Sequence, residues 1–487
     1  MSTRRMMSSA DVEEAKYRPY LNTGTPIDIL SGKYIPTVDG GYALSGGAGI
    51  TTSVIATGNK FKSAMQNSTM MNAMARFPDS EAFIYDSEMA TIDKVRLSNM
   101  SNLYLDKPEE REAHIADMVS RIEMHDPTTG PGESLDAWFD YVKTKRDYKI
   151  AHAKDMMVET EILDPDTNKP YLMLLPTFVG IDSWTQAPVK QLNVRNEEFT
   201  ADTETSKQRT IFMEEGLKKA QLMNQLPNMC AKGGLYAFLT GHIGKKFSID
   251  GKPTAKDLQY MGQDETVKAM GPKFYFLMSS IFKIASTSAL EYAGDRRESH
   301  YPSAQHGIAS KELLELNISA VRLKNAGSGS LTQLVMSQKF GLQTGLSFYN
   351  CLSNNKYFGL GSPNKVRSPL LGDLNIGRTK IFDASRTYEV QRAMELTFQL
   401  FFIQSTWSKM GQPVDFWIEV EKFAEMLASS TSIGINDVLN SRDWWTYTDA
   451  KDTLKDAERP FMTLPNILMI LNGTYKPKFL QSLGVPK

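Results

Sequence analysis

The rhythm of apolar and polar positions is clearest between residues 49 and 86. Ile50 to Ile55 is a short apolar run that predicts a strand, and a glycine-containing loop follows it. From about Lys62 to Arg76 the apolar spacing predicts a helix, Pro78 marks a turn, and Ala82 to Tyr85 predicts a second strand. Strand, helix and strand in that order make a βαβ unit and imply a parallel α/β sheet. Tyr171 to Ile181 and Gly234 to Thr240 read as further strands, ending in Asp182-Ser183 and Gly241-His242. More strand is expected in 274–284 and 316–324. Between 107 and 160, charged helical stretches such as Glu109 to Val119 surround the turn-rich Asp126 to Gly132. Beyond about residue 370 the pattern is helical and aromatic, clearest at Tyr388 to Trp407, Val414 to Leu427 and around Trp444-Trp445.

Residues 1–45 combine turn signals (Asn22 to Pro26, Asp39 to Gly41) with few periodic apolar positions, and read as an arm or irregular cap suited to oligomer contacts. The expected organisation is therefore an N-terminal arm over 1–45, an α/β core over 46–369 and a helical C-terminal domain over 370–487. A chain of 487 residues exceeds one ordinary core, which fits that division. There is no apolar run long enough to cross a bilayer, so no membrane association is expected. The start, Met1-Ser-Thr-Arg-Arg-Met-Met, lacks the apolar stretch of a secretory signal. The cysteines, Cys230 and Cys351, have no His or Cys at ligand spacing. That argues against a disulfide framework or a zinc site and fits a reduced, intracellular compartment. A net charge of −1 offers no global attraction to nucleic acid, so any such binding must come from local basic clusters. The methionines, scattered through apolar positions, read as core filling.

The candidate chemistry collects at the ends of the expected strands, where ligands bind in parallel α/β sheets. Ala56-Thr57-Gly58-Asn59-Lys60-Phe61-Lys62-Ser63 has the order of a phosphate-binding loop: strand, small-residue turn, then Lys and Ser as a helix begins. Lys62 would meet the β and γ phosphates of ATP, and the Ser63 hydroxyl would ligate Mg²⁺. Phe61 stands where glycine is usual, and a capped helix start is the plain alternative for this segment. Phe83 to Glu88 brings a carboxylate to the next strand end, where Glu88 can orient and deprotonate a water. Phe178 to Ser183 ends in Asp182, suited to supporting Mg²⁺, and Leu239 to His242 places His242 at a fourth strand end.

This ordered series resembles the RecA family, and within it the UvsX recombinases of T-even-like phages. The likeness rests on Phe61-Lys62-Ser63, on Phe77 to Glu88, on Ile181-Asp182-Ser183, on Gly271 to Tyr275, and on Gly345 to Tyr349, which matches a segment of the last core strand. It covers roughly residues 40–355. It implies a RecA-type ATPase core in which Lys62 and Ser63 bind phosphates and Mg²⁺, Glu88 activates water, Asp182 supports the metal and His242 is a polar switch. It further implies a second DNA-binding loop from Gly244 to about Met270, with Lys245, Lys246, Lys252 and Lys256 on phosphates. A first DNA loop near Asn193 to Arg209 would contribute Arg195, Lys207 and Arg209. Arg322 and Lys324 would reach a neighbouring subunit's phosphates, although one of the two occupies a matching position. A base-stacking tyrosine is replaced by Thr91 to Val95, and the tail beyond about 370 has no counterpart.

The implied activity is that of an ATP-dependent recombinase that forms helical filaments on single-stranded DNA and promotes homologous pairing and strand exchange. Single-strand-binding and mediator proteins would be its partners, and the host cytoplasm its location if phage-encoded. A hexameric replicative helicase of the DnaB type and a catalytically drifted RecA-like scaffold are the alternatives.

Overall fold

A computed structural model describes residues 18–89, 93–103, 107–128, 130–190, 205–246, 254–324, 329–337, 339–355, 365–372 and 375–482. Its centre is a ten-stranded sheet built from β1 (Thr51–Ala56), β2 (Glu81–Asp86), β3 (Ile122–His125), β4 (Thr177–Asp182), β5 (Leu235–Lys245), β6 (Glu265–Val267), β7 (Ser280–Ala289), β8 (Leu313–Leu323), β9 (Leu331–Ser337) and β10 (Gly341–Leu342). The order across it is β10-β9-β8-β7-β1-β5-β4-β2-β3, with β6 pairing to β5. The six strands from β7 to β3 run parallel, and β8, β9 and β10 continue the sheet antiparallel. The chain is thus α/β with a large, mostly parallel central sheet.

Helices cover both faces, which is why β1 and β4 are buried along their whole length and read as unbroken apolar runs. On one face lies α1 (Lys62–Ala75), whose Met65, Met70, Met71 and Met74 are fully buried. Gly180 interrupts the apolar run of β4 because a Cβ there would meet Met70 Cε at 3.0 Å and Sδ at 3.3 Å. α2 (Pro108–Ser120) follows β2 and leads to β3. The opposite face carries α3 (Leu135–Ala151) and α4 (Thr205–Gly233). There Trp138, Phe139 and Val142 of α3 and Leu222, Met223 and Leu226 of α4 share one cluster with Ile55, Tyr85, Ile181 and Leu239. The starts of β4 and β5 are tied by buried Lys149 of α3, whose Nζ donates to Leu175 O (2.7 Å), Thr177 Oγ1 (2.8 Å) and Gly234 O (3.4 Å).

The described part of the N-terminal segment is folded against this core. Buried Asp28 accepts from the N–H groups of Thr23 (2.8 Å), Gly24 (2.7 Å) and Gly47 (2.8 Å), and Leu21 and Ile27 are fully buried. At the other end, α5 (Thr344–Asn354) and α6 (Tyr388–Thr406) pack together, and Phe348 and Phe398 lie in one cluster with strands β8 and β9. Residues Arg442 to Tyr447 close over the end of α1: the Trp445 ring meets Phe77 edge-on at 5.5 Å, and Thr446 Oγ1 donates to Arg76 O at 2.6 Å.

Three expected strands resolve differently, the first being 274–284, where Phe274–Leu277 is a short helix and β7 begins only at Ser280. Tyr171 to Ile181 is not one strand, because Pro170–Leu174 pairs with Met157–Leu163 in a separate two-stranded sheet and the chain enters β4 only after Pro176. Proline has no N–H to give a ladder, so the run breaks there. Gly345 to Tyr349 lies in helix α5, not in a strand. Every residue from Thr344 to Leu352 is buried, so the run shows no polar face from which a period can be read. Its glycine allows close approach: a Cβ on Gly345 would collide with Ser385 O.

Candidate functional site at the strand ends

Strand register brings the sequence candidates into one row. Asp86 of β2 lies opposite Asp182 of β4, Ile181 opposite Leu239 of β5, and Ala56 of β1 opposite His242. The carboxyl ends of β2, β4 and β1 therefore carry Glu88, Asp182 and the loop 57–61, and His242 stands level with them inside β5, which runs on to Lys245 instead of ending at the expected strand end.

Thr57, Gly58 and Asn59 of that loop are exposed, and the backbone turns into α1 through left-handed Asn59 (φ 56°) and Phe61 (φ 58°). Phe61 thus adopts the conformation that glycine takes freely, while its ring packs against the core. The side chain of Lys62 is buried and its Nζ folds back to 3.5 Å from Thr57 O. Burial pulls its pKa below the usual lysine value, and the charges of Glu88 and Asp182 oppose that shift. Asp182 is buried, accepting from Ser63 and, at 2.7 Å, from Thr240 Oγ1. Burial raises its pKa, these hydrogen bonds lower it, and the neighbouring charges of Glu88 and Asp86 add to the rise.

The ends of β2 and β4 are stapled together around the Asp182–Ser183 peptide, which is cis. Ser87 N donates to Asp182 O (2.7 Å), Ser183 N to Ser87 Oγ (2.8 Å), and Ser87 Oγ to Ser183 O (2.8 Å). Ser183 Oγ then donates to Glu88 Oε1 (2.8 Å). His242 Nε2 lies 3.3 Å from the same oxygen, and His242 N donates to Thr185 Oγ1 (3.3 Å). Fully buried Lys219 of α4 donates to Thr185 O (3.0 Å) and pairs with Glu215 (2.7 Å).

An exposed turn of backbone amides at a helix start, with one ammonium beneath it, suits a polyanion. No group of three or more His, Cys, Asp or Glu capable of holding a metal occurs among the described residues. Ser63 and Asp182 alone suit Mg²⁺, which keeps waters and takes phosphate oxygens rather than an all-protein cage.

Other candidates lie elsewhere. Arg322 is opposite Ile281, and Ser280 is opposite Thr52, so Arg322 and Lys324 sit at the start of β1, at the end of the sheet away from the loop. There Arg322 stands over the Phe276 ring (5.9 Å), and Lys324 Nζ donates to Leu277 O (3.1 Å). Lys245 ends β5 opposite Glu265 of β6, and Lys246 pairs with Asp257 (2.5 Å) and donates to Ala255 O (2.6 Å), while Lys256 is exposed. The expected second DNA loop thus begins as a hairpin arm with one of its lysines already neutralised. Lys207 and Arg209 fall in the first turns of α4 rather than in a loop, and their side chains lie outside the described residues. Arg195, Lys252 and residues 191–204 are also outside them, as are 91 and 92 of the Thr91 to Val95 segment. Ser87, Thr240 and Lys219 went unnoticed in the sequence. Only small polar residues at strand ends could have signalled the first two, and nothing marked a lysine amid a helix.

No family model and no curated protein matches the chain.

Proposed function

We propose that this chain binds ATP with Mg²⁺ and hydrolyses it under the control of single-stranded DNA, as a filament-forming recombinase of the RecA type. The observation that carries the reading is the convergence of Lys62, Ser63, Asp182 and Glu88 at the ends of β1, β4 and β2 with His242 of the adjoining β5. Mg²⁺ bound with the nucleotide would supply charge neutralisation for the β and γ phosphates, and Ser63 and Asp182 are the residues to hold it. The loop amides and Lys62 hold the triphosphate. Glu88, with one carboxylate oxygen already tied to Ser183, orients a water and takes its proton. His242, on the same Glu88 oxygen, is placed to respond to a terminal phosphate and to pass that state along β5 to Lys245 and Lys246. The DNA and strand-exchange parts of this reading rest on the resemblance described above.

ATP turnover measured with and without single-stranded DNA tests it. Lys62→Ala is expected to lose nucleotide binding and turnover together, whereas Glu88→Gln keeps binding and loses turnover by about a hundredfold or more. Turnover unchanged in Lys62→Ala would place the site elsewhere. Filaments on DNA in electron micrographs support recombinase action, whereas closed rings would favour a helicase.

A further inference from the structure

We infer that Ser183 is the positioning residue for Glu88, fixing which carboxylate oxygen is left for the water. This inference rests on the proposed hydrolytic site and deepens it. Ser183 is fully buried, and the direction of its hydroxyl proton is set by its surroundings. Its Oγ accepts from Gln186 N at 3.4 Å and donates to Glu88 Oε1 at 2.8 Å. Its backbone is held on both sides by the single hydroxyl of Ser87, so it cannot drift with the exposed Glu88 side chain. Among the described residues, Glu88 has no other buried donor reaching its carboxylate. Its backbone N donates to Asp86 Oδ1 at 3.2 Å, and its second side-chain neighbour on Oε1 is His242 at 3.3 Å, a longer contact from a partly exposed ring.

The consequence is a division of labour on one carboxylate. Oε1 is anchored by a buried donor, and Oε2 remains the basic oxygen that can face a water. Glu88 then keeps its aim whether or not His242 turns away from it. A carboxylate on a flexible side chain loses rate steeply when its orientation is not fixed, by about a hundredfold for a displacement of about 1 Å.

The test is a double-mutant cycle on DNA-stimulated ATP turnover, with binding of a non-hydrolysable ATP analogue measured in parallel. Ser183→Ala is expected to lower kcat about tenfold to a hundredfold while leaving KM and analogue affinity unchanged. Ser183→Thr, which keeps the hydroxyl, recovers part of the rate. In a Glu88→Gln background, Ser183→Ala should cost nothing further, because the group it aims is already gone. Ser87→Ala removes the staple that holds Ser183, so it lowers thermal stability as well as kcat, and its rate loss also disappears in the Glu88→Gln background. Additive losses for Ser183→Ala, or a parallel fall in analogue affinity, overturn the inference and leave the proposed site standing. No turnover in the unaltered protein removes both.

Discussion

Phe61 shows how a residue can violate a local preference and still be retained. A non-glycine residue in the left-handed region costs about 1 kcal/mol, and here the ring offsets that cost by packing against the core. Two substitutions separate the two effects. Phe61→Ala loses the packing and keeps the strained backbone, whereas Phe61→Gly loses the packing and relieves the backbone. Urea denaturation should therefore find Phe61→Gly more stable than Phe61→Ala by about 1 kcal/mol; the reverse order would contradict the backbone account. Asp182 carries a comparable conflict in its charge. Burial raises its folded pKa above the unfolded value of about 3.9. The proton it holds thus favours the fold below the unfolded pKa, and that contribution is lost as pH rises through the raised folded value. Asp182→Asn, which removes the charge and keeps one oxygen as the acceptor for Thr240, should be more stable than the unaltered protein at pH 7. The difference should shrink towards pH 4 as the aspartate takes up its proton, and denaturation at the two pH values checks it. The stabilised variant is expected to be inactive, since it has lost the charge that the proposed Mg²⁺ site needs.

At the scale of elements, the unit that positions the site was legible in the sequence and its supports were not. The strand expected from Ile50 to Ile55 is Thr51–Ala56, and the helix expected from about Lys62 to Arg76 is Lys62–Ala75. Those segments announce themselves because a buried parallel strand and its crossover helix each impose a local period. What was not legible depends on partners distant along the chain. The apolar run before Ile181 looks continuous until Pro176 divides it between two sheets, and Gly345 to Tyr349, expected as strand only from the resemblance, lies in the buried helix α5. Lys149 is the sharpest case: on sequence it is one more charged residue of a surface helix, yet it is fully enclosed and fastens the starts of two central strands. Burial pushes it down to about 7, from about 10.4 in an unfolded chain. Between those values the unfolded chain holds a proton that the folded chain lacks. Its contribution to stability therefore grows with pH across that window and is lost as pH falls through about 7. Lys149→Met removes the donor from three acceptors and should cost about 1–3 kcal/mol. It should also erase the part of the rise in stability between pH 7 and 10 that this lysine causes, which denaturant titrations at several pH values will show.

For the whole molecule, the described N-terminal and C-terminal segments are structural parts of the core and not only accessories to it. Asp28 is hydrogen-bonded to the segment that leads into β1, and Trp445 with Thr446 closes the far end of the helix that Lys62 begins. The tail's tryptophans Trp444 and Trp445 are buried, although the segment around them, expected to be helical, is not helix. The sheet itself is polar in the directional sense: the phosphate-type loop leaves one end of β1, and Arg322 with Lys324 stands at the level of the other. No bending of a single chain short of unfolding its centre brings those two ends together. If both serve one reaction, the unit of activity is a junction between molecules, and the protein keeps half of each junction at either pole. Such a chain is dilutable: its rate per molecule falls on dilution faster than binding of its substrate alone predicts. It is also divisible, for Lys62→Ala chains and chains carrying Arg322→Ala with Lys324→Ala, each inactive alone, should recover turnover when mixed, since some junctions then join two intact halves. A mixture as silent as its components would mean that the two poles never share a task.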